Sequence, residues 1–369
     1  MLRVVLRVGR ALWGDTFFKV LLAGLVLLSL LTPLSLSRYP ALVDWPTLAA
    51  LAGLLLLTKG LELSGALQLA GRTLVRLMAT ERALALCLVL GAALLSTVLT
   101  NDVALFVVVP LTLGVCRLTG LPATRLIIFE ALAVNAGSAL TPIGNPQNLF
   151  IWQRAGVPFG EFVHQQLPLV AGLMLALLLL TAWSFQARPV RVLERDGHSL
   201  DRRLLVVSLL LYAPFLVLTD QHQAVWAVAL VAGVFVVMRP GVLAQLDWGL
   251  LLVFVLMFID LRLLAGLEAV QALMQSLALQ RPVNLYLAGI GASQLISNVP
   301  AAIALAEYSS DWRVMAYAVN IGGFGLMIGS LANLIALRMC DDRRAWRVFH
   351  AYAIPALVLA TVWGAVLLF

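Results

Sequence analysis

Polar and helix-breaking residues are concentrated in two parts of this sequence, between long apolar runs. The first part contains the segment Ser96–Asp102 and, further on, the run Asn135–Asn148. The second contains Ser297–Pro300 and then Asn320–Asn333. Polar groups inside apolar surroundings are costly, and at membrane depth they usually mark the path of a substrate or an ion. These four segments are therefore the candidate functional residues.

The run Asn135–Asn148 has the composition of an interrupted helix. Pro142 and Pro146 lack the backbone N–H that a continuous helix needs, and Gly137 and Gly144 loosen the chain. We predict two half-helices joined by an unwound link. The N-terminus of a half-helix attracts an anion, whereas unwound carbonyls and Asn, Ser and Thr oxygens suit a small cation such as sodium.

Roles follow from residue type at these positions. Amide, hydroxyl and glycine positions of both parts are predicted to bind substrate: Asn101, Asn135, Gly137, Ser138, Thr141, Asn145, Asn148, Ser297, Asn298, Asn320 and Asn333. Cation or proton coupling is assigned to the carboxylate of Asp102 with Thr100 and Ser96. A sodium ion would lie near Thr100, Asn101, Asp102 and Asn135. The second part has no acid at its tip, so we expect two unequal half-sites.

Composition indicates a membrane protein. Of the 369 residues, 62% are hydrophobic and only 12% are charged, which is about half the charged fraction of an ordinary soluble domain. The net charge of +7 comes from arginines in short loops, as the positive-inside rule predicts, and not from a nucleic-acid-binding surface. The three cysteines and four histidines lack metal-ligand spacing, so no cofactor is expected beyond Na⁺ or H⁺ as a coupling ion.

The alternation of apolar runs and basic loops predicts an all-α polytopic fold with a cytoplasmic N-terminus and an outer C-terminus. The predicted parts are an N-terminal helix in 1–40, a first repeat in 41–185, a cytoplasmic linker in 186–203, connecting helices in 204–240 and a second repeat in 241–369. Each repeat has a hairpin that enters and leaves the bilayer on one side (83–117 and 283–308) and a broken helix (125–153 and 312–337). We also expect a basic surface helix over 67–82.

Three short patterns recur in the same order. Asp44-Trp45 returns as Asp247-Trp248, and Thr100-Asn101 returns as Ser297-Asn298. The third pattern, which begins at Val134 and ends at Leu149, returns from Val319 to Leu334 with every spacing preserved. The first copy is predicted to begin outside and the second inside. The repeats are therefore expected to be inverted, a symmetry that underlies alternating access in transporters.

At these residues the sequence resembles the ion-transporter superfamily, in the branch of arsenite permeases, NhaD-type antiporters and anion symporters. The runs Leu99–Ala104 and Asn135–Asn148 carry the resemblance, which is greatest to the shorter YbiR-like anion transporters. It implies a homodimer with a scaffold domain and a mobile domain that moves as an elevator. The second tip reads Ser-Asn-Val-Pro and lacks the hydroxyl at the third position, where the dicarboxylate symporters have Ser-Asn-Thr.

The leading functional hypothesis is secondary transport of a small anion or oxyanion across a bacterial inner membrane, coupled to sodium or protons. The alternative is a sodium or lithium/proton antiporter without an anion substrate. A channel would use similar broken helices, but the unequal half-sites favour a carrier. No catalytic triad, paired aspartates or Walker motif indicates an enzyme or an ATP-driven pump. The roles of Asp260, Glu130, Lys59 and Glu62 stay open between function and ion pairing.

Overall fold

The computed structural model describes residues 16–32, 36–43, 45–190, 200–221, 223–340 and 342–369. The predicted all-α class is confirmed, since these ranges contain α- and 3-10 helices and no strand. The α-helices, in chain order from α1 to α18, have the following bounds: Thr16–Leu31, Trp45–Leu63, Ala66–Leu77, Glu81–Val98, Asn101–Thr119, Ala123–Ser138, Pro146–Ala155, Phe159–Ser184, Arg202–Asp220, Ala224–Met238, Gly241–Ala244, Trp248–Ala265, Glu268–Ser276, Pro282–Ile296, Asn298–Ala306, Trp312–Ile321, Leu331–Met339 and Ala345–Leu368.

Five helices of the described ranges are long and apolar enough to cross a membrane, namely α4, α5, α8, α9 and α18. Two of them, α4 and α5, are the arms of the first predicted hairpin. Their length alone would let each one cross, so the return of this hairpin to its own side stays a prediction. Residues 1–15 with their arginines, Asp44 and residues 191–199, which are half of the predicted central linker, lie outside the described residues.

Helix ends differ from the predicted bounds where capping residues decide them. The surface helix expected over 67–82 ends at Leu77, because Thr80 starts the next helix by accepting a hydrogen bond from the N–H of Ala83 at 3.2 Å. The apolar run over 166–185 predicts a membrane span, but the helix α8 begins seven residues earlier, at Phe159, directly after Pro158. Sequence periodicity alone does not register these short polar caps.

The repeated Asp-Trp pattern has a local structural meaning. Asp247 caps α12 by accepting from the N–H of Leu250 at 2.9 Å, and the indole N–H of Trp248 donates to the carbonyl of Leu243. Trp45 begins α2 and its indole likewise donates to the carbonyl five residues earlier, that of Pro40. Both copies of the pattern therefore coincide with the start of a helix.

The chain forms two compact units, each made of two stretches of sequence. The first unit comprises Met1–Leu67 and His198–Ala272, and in it α2 packs against α9 and α10 while α1 packs against α12. Its Asp260 is buried, and a Cβ at Gly24 would lie 3.2 Å from Oδ2 of that carboxylate. The Lys59–Glu62 ion pair is also in this unit, with 2.6 Å between Nζ and Oε2.

The second unit comprises Gln68–Gly197 and Leu273–Phe369, and contains all candidate site residues. Four segments that flank helix ends in this unit are joined to each other, and we call them the first end cluster: 79–82, 124–125, 184–190 and 342. Arg82 and Arg125 donate to the carbonyls of Phe185 and Ser184 at 3.0 and 3.3 Å. The hydroxyl of Thr124 donates to Asp342 at 2.6 Å.

A different set of segments meets in the second end cluster: 154–165, 280, 306–308 and 312–317. Arg154 donates to the carbonyl of Ala306 at 2.7 Å, and the ring of Phe162 stacks on Trp312. The side chain of Gln280 donates to the carbonyl of Tyr308, which brings the start of α14 close to the end of α15. Neither set of bonds includes a segment of the other cluster.

Close approach of α2 and α9 in the first unit depends on Gly53. A Cβ at this position would lie 2.1 Å from the buried ring of Phe215. We expect Gly53→Ala to lower the free energy of unfolding by about 1–3 kcal/mol, because the ring must move in a packed interior. The measurement is thermal unfolding of the purified protein in detergent.

Gly233→Ala is the matched control, since nothing lies within 4 Å of a Cβ built there. This helical substitution should leave the melting temperature unchanged or raise it slightly. Equal melting temperatures for the two variants would contradict the packing of α2 on α9.

Candidate functional site

The first helix interruption lies between α6 and α7, from Ala139 to Asn145. Asn145 starts α7 by accepting the N–H of Asn148 at 2.8 Å, and Pro146 occupies the first helical position, where its missing N–H costs nothing. The side-chain nitrogen of Asn148 donates to the carbonyls of Ser138, Ala139 and Thr141 at 3.1–3.3 Å. One buried amide thus supplies the donor that these carbonyls lost when the helix stopped.

The second interruption lies between α16 and α17 and is closed in a similar way. The side-chain nitrogen of Asn333 donates to the carbonyl of Gly323 at 2.9 Å. Gln294, from α14, donates to the carbonyl of Gly322 and accepts the N–H of Leu326, both at 2.7 Å. The link therefore has partners for its backbone from a hairpin helix as well as from its own side chains.

The two interruptions are also bonded to each other. The Nδ2 of Asn135 donates to Oδ1 of Asn333, and the Nδ2 of Asn320 donates to Oδ1 of Asn148, both at 2.7 Å. Two further bonds run from Asn145 to Asn320 at 3.1 Å and from Ser330 to Asn135 at 3.0 Å. We name this buried set the asparagine knot: Asn135, Asn145, Asn148, Asn320, Ser330 and Asn333.

The knot is reciprocal in sequence. Asn320, Ser330 and Asn333 stand 185 residues after Asn135, Asn145 and Asn148, respectively. The four bonds named above therefore form two matched pairs, Asn135–Asn333 with Asn320–Asn148 and Asn145–Asn320 with Ser330–Asn135. A further bond, from Nδ2 of Asn135 to the carbonyl of Gly323 at 3.2 Å, has no counterpart in the described ranges. Ser330 was not among the residues predicted from the repeat. It nevertheless corresponds to Asn145, because it stands at the same offset of 185 residues.

The first hairpin tip is shorter than predicted and reaches the first break. Only Leu99 and Thr100 separate α4 from α5, so Ser96 lies in α4, and Asn101 and Asp102 lie in the first turn of α5. The N–H of Asn101 donates to the carbonyl of Gly144 at 2.9 Å. The hydroxyl of Thr141 donates to the carbonyl of Thr97 at 2.7 Å.

The second tip consists of Ser297, whose φ of +71° is rare for a residue other than glycine. Asn298 begins α15, and its Nδ2 would lie 3.5 Å from a Cβ on Gly323. That Cβ would also lie 3.7 Å from Cγ of Asn135, so this tip adjoins the knot too. Within the part of the chain that is described, the Nδ2 atoms of Asn101 and Asn298 donate no hydrogen bond.

Asp102 is the carboxylate of this region. Its side chain is buried, and its Oδ1 has no hydrogen-bond partner in the described ranges. Neither of the two ion pairs found there, Lys59–Glu62 and Arg154–Glu307, includes it. A buried carboxylate without a cationic partner is costly, so the site is suited to take up a proton or a small cation.

Electrostatics at the knot favour an anion as well. The helices α5, α7, α15 and α17 all begin beside it, and the first turn of a helix presents N–H groups and the positive end of the helix dipole. The site thus combines donors for an anion with one unpaired carboxylate for a cation.

Other candidate residues have structural contacts that explain their type. A Cβ at Gly137 would lie 2.2 Å from the carbonyl of Ala93, so glycine lets α4 and α6 approach closely. The hydroxyl of Ser96 donates to the carbonyls of Ala93 and Val134 at 2.8 and 3.2 Å. The hydroxyl of Ser138 lies 3.2 Å from Nδ2 of Asn145. Substrate contact by these residues stays a prediction.

Three charged residues whose roles the sequence left open lie outside this site, and two glutamines of the site were not predicted. Asp260, Lys59 and Glu62 belong to the first unit and not to this site. Sequence reasoning missed Gln147, whose side-chain nitrogen donates to Oδ1 of Asn320 at 3.4 Å, and also Gln294. Gln147 was visible in the polar run of the first break. Gln294 had no such signal, since its position in the first hairpin is occupied by Thr97.

Comparisons with known proteins agree on one class. The family model CitMHS, described as "Citrate transporter", matches residues 16–313. The inner membrane protein YbiR of Escherichia coli K12 is 49% identical over 360 residues, which is 97% of each chain. "Uncharacterized transporter MJ0456" of Methanocaldococcus jannaschii is 30% identical and covers 89% of this chain and 90% of its own. "Uncharacterized transporter Rv2685" of Mycobacterium tuberculosis is 29% identical, with 80% and 78% covered.

The contacts divide the asparagines into two groups that mutagenesis can separate. Asn320→Ala removes bonds to Asn145 and Asn148 and leaves buried amides unpaired, so we expect a loss of about 1–3 kcal/mol in the free energy of unfolding. Asn298→Ala is the matched control, because its Nδ2 bonds to nothing in the described ranges. The melting temperature in detergent should fall for the first variant and change little for the second. Equal losses would contradict a knot that holds the breaks.

Proposed function

The chain belongs to the citrate transporter family CitMHS and is a membrane transporter, not an enzyme, and we propose that it is a secondary active carrier for a small anion or oxyanion. In this proposal sodium or protons drive transport across the inner membrane. The observation that carries it is the reciprocal asparagine knot, with helix N-termini beside it and one unpaired carboxylate. Broken helices whose dipole ends and unwound carbonyls meet at one place are the usual substrate and ion site of secondary transporters.

Alternating access follows from the reciprocity of the knot. If the two halves are inverted repeats, each half can adopt the conformation of its counterpart, and the bonds exchange between corresponding residues. The bonds from Asn135 to Asn333 and from Asn320 to Asn148 have equal lengths of 2.7 Å, which supports such an exchange. The carrier then opens to one side or the other around a fixed site.

The two end clusters support hairpins that enter from opposite sides. The first arm of α4 begins in the first end cluster, and α5 ends at Thr119, four residues before α6 starts in that same cluster. The start of α14 and the end of α15 meet in the second end cluster. We propose that each hairpin returns to its own side, with its tip covered by protein at the knot.

Both hairpins and both breaks belong to the second unit, and the first unit has neither. We propose that the second unit is the moving part of an elevator and the first unit the scaffold. The scaffold would also form the interface of a homodimer. Disulfide crosslinking of single-cysteine variants across the first unit tests the dimer independently of transport.

Coupling follows from charge. An anion at the helix N-termini would be repelled by ionised Asp102, since two like charges a few ångströms apart in a poorly solvated site interact strongly. Binding a proton or a sodium ion at Asp102 removes this repulsion. Cation and anion therefore bind together, and each raises the affinity for the other.

Sodium or lithium/proton antiport is the second candidate function. It is supported by the unpaired Oδ1 of Asp102 in a buried environment. In this case the helix N-termini would only stabilise the breaks, and cation and proton would compete for the same carboxylate.

The decisive experiment uses the purified protein in proteoliposomes with citrate, arsenite, phosphate and sulfate, with and without a sodium or pH gradient. We expect at least one anion to accumulate in a gradient-dependent way. Asp102→Asn should reduce gradient-driven accumulation about tenfold or more, because the neutral amide takes up no proton and binds sodium weakly, and should abolish the sodium or pH dependence of uptake.

Glu161→Gln is the control, because it removes an exposed carboxylate at the start of α8. Its uptake should equal that of the wild type. Lithium or sodium exchange for protons without any anion effect would favour the antiporter instead. Unchanged gradient dependence in Asp102→Asn would remove this residue from coupling.

A further inference from the structure

A second acid is buried in the same unit, away from the knot. Glu130 of α6 is fully buried, and its Oε1 is hydrogen-bonded to the hydroxyl of Thr112 of α5, which is also fully buried. Its other oxygen, Oε2, has no partner in the described ranges. The anion proposal uses neither residue.

No charged side chain of the described ranges forms an ion pair with this carboxyl. Cys116 of α5 lies close enough to interact with it electrostatically, and also with Cys340 at the end of α17. Further titratable or charged side chains on the helices packed against α6, and on α6 itself, form no ion pair or hydrogen bond with Glu130: Glu81, Arg82 and Cys87 of α4, Asp102 and Arg117 of α5, Arg125 of α6, Glu161 and His164 of α8, Arg338 of α17, and Arg347, His350 and Tyr352 of α18.

Burial without a counter-ion requires the neutral acid in this conformation. In the acid form the O–H of Glu130 donates to the hydroxyl oxygen of Thr112. In the ionised form the hydroxyl of Thr112 donates to the carboxylate. The pair therefore keeps one hydrogen bond in either state, which suits a group that binds and releases a proton.

A packing role would not need a carboxyl here. Glu130 stands five residues before Asn135, and Met315 stands five residues before Asn320 in the second half. Met315 is also buried, so an apolar side chain of similar length fills the corresponding place. The acid is thus a feature of the first half only, like Asp102.

We propose that the Thr112–Glu130 pair is a proton-binding site: Glu130 holds a proton in this conformation and releases it in another. The O–H bond breaks, the proton passes to water, and the carboxylate keeps the hydrogen bond from Thr112. Water must reach the pair for this step, so α5 and α6 separate there when the proton leaves.

Such a step is linked to the candidate site through two helices. Helix α5 carries Asp102 in its first turn and Thr112 further on, while α6 carries both Glu130 and Asn135. Five residues of helix span about 7.5 Å along the axis. A change in α5–α6 packing at Glu130 therefore moves the tip and the break relative to each other. This coupling role rests on the proposed transport, whereas the protonation itself does not.

The first test is the infrared spectrum of the purified full-length protein in detergent at neutral pH. A protonated carboxyl has a C=O stretching band that a carboxylate lacks, so the wild-type minus Glu130→Gln difference should show that band. Glu130→Met, which copies Met315, should give the same difference and serves if the Gln variant does not fold. A difference without the band means that Glu130 is ionised and overturns the proposal.

The hydrogen-bond partner and solvent access are tested next. Thr112→Val should shift the band because its partner is lost, and Thr112→Ser should leave it in place. In heavy water the band should move as the proton exchanges. A band that keeps its proton throughout a long incubation would show a permanently enclosed packing group and would overturn release.

Transport supplies the last test. In proteoliposomes, Glu130→Gln should still move any anion that the wild type moves, but a pH gradient should no longer drive it. Persistent gradient dependence in this variant would overturn the coupling role. If the wild type moves no anion at all, the proposed function fails, while the infrared results still decide whether Glu130 binds a proton.

Discussion

The structure of the second unit depends on finding partners for backbone groups where helices stop. A helix that ends inside an apolar environment leaves carbonyl and N–H groups unpaired, and each costs free energy unless something bonds to it. Here asparagine side chains supply both a donor and an acceptor. Asn148 and Asn333 each bond to carbonyls of their own break and to an asparagine of the other break. The two breaks therefore stabilise each other, and a change in one is expected to affect the other.

The two halves share their asparagine contacts, so the positions at which they differ in residue type distinguish them chemically. The position of Asp102 is taken by Val299 in the second tip, and that of Glu130 by Met315 in the second broken helix. The hairpin and the break are also joined by different residues in the two halves. In the first half the hydroxyl of Thr141 donates to the carbonyl of Thr97, and in the second half Gln294 accepts the N–H of Leu326. Both acids lie in the first half, so the proton or cation binding that we propose is confined to that half.

The positions of the two helix breaks and their correspondence could be predicted from the sequence, because proline, glycine and asparagine at fixed spacing determine where a helix can continue. The hydrogen-bond partners of the asparagines could not be predicted. Nothing in the spacing of Asn135 and Asn148 says whether they bond within their own half or, as the structure has it, across to Asn333 and Asn320. Gln294 could not be predicted from the sequence, because its role depends on a contact between the hairpin helix α14 and the link after α16 that only the fold brings about. The predicted first tip, Ser96–Asp102, is longer than the observed one, because polarity suggests a loop although Ser96 and Asp102 both lie within helices.

The division of the asparagines bears on what a substrate can touch. The Nδ2 of Asn135 already donates both to the carbonyl of Gly323 and to Oδ1 of Asn333, so it has no donor left, and ligand contact through this nitrogen would require a knot bond to break. The Nδ2 atoms of Asn101 and Asn298 have no such commitment among the described residues, and they stand at the first turns of α5 and α15. A substrate that binds there meets donors without disturbing the breaks. Under the proposed function, release of the substrate and rearrangement of the knot are then separate events, as a carrier that returns empty requires.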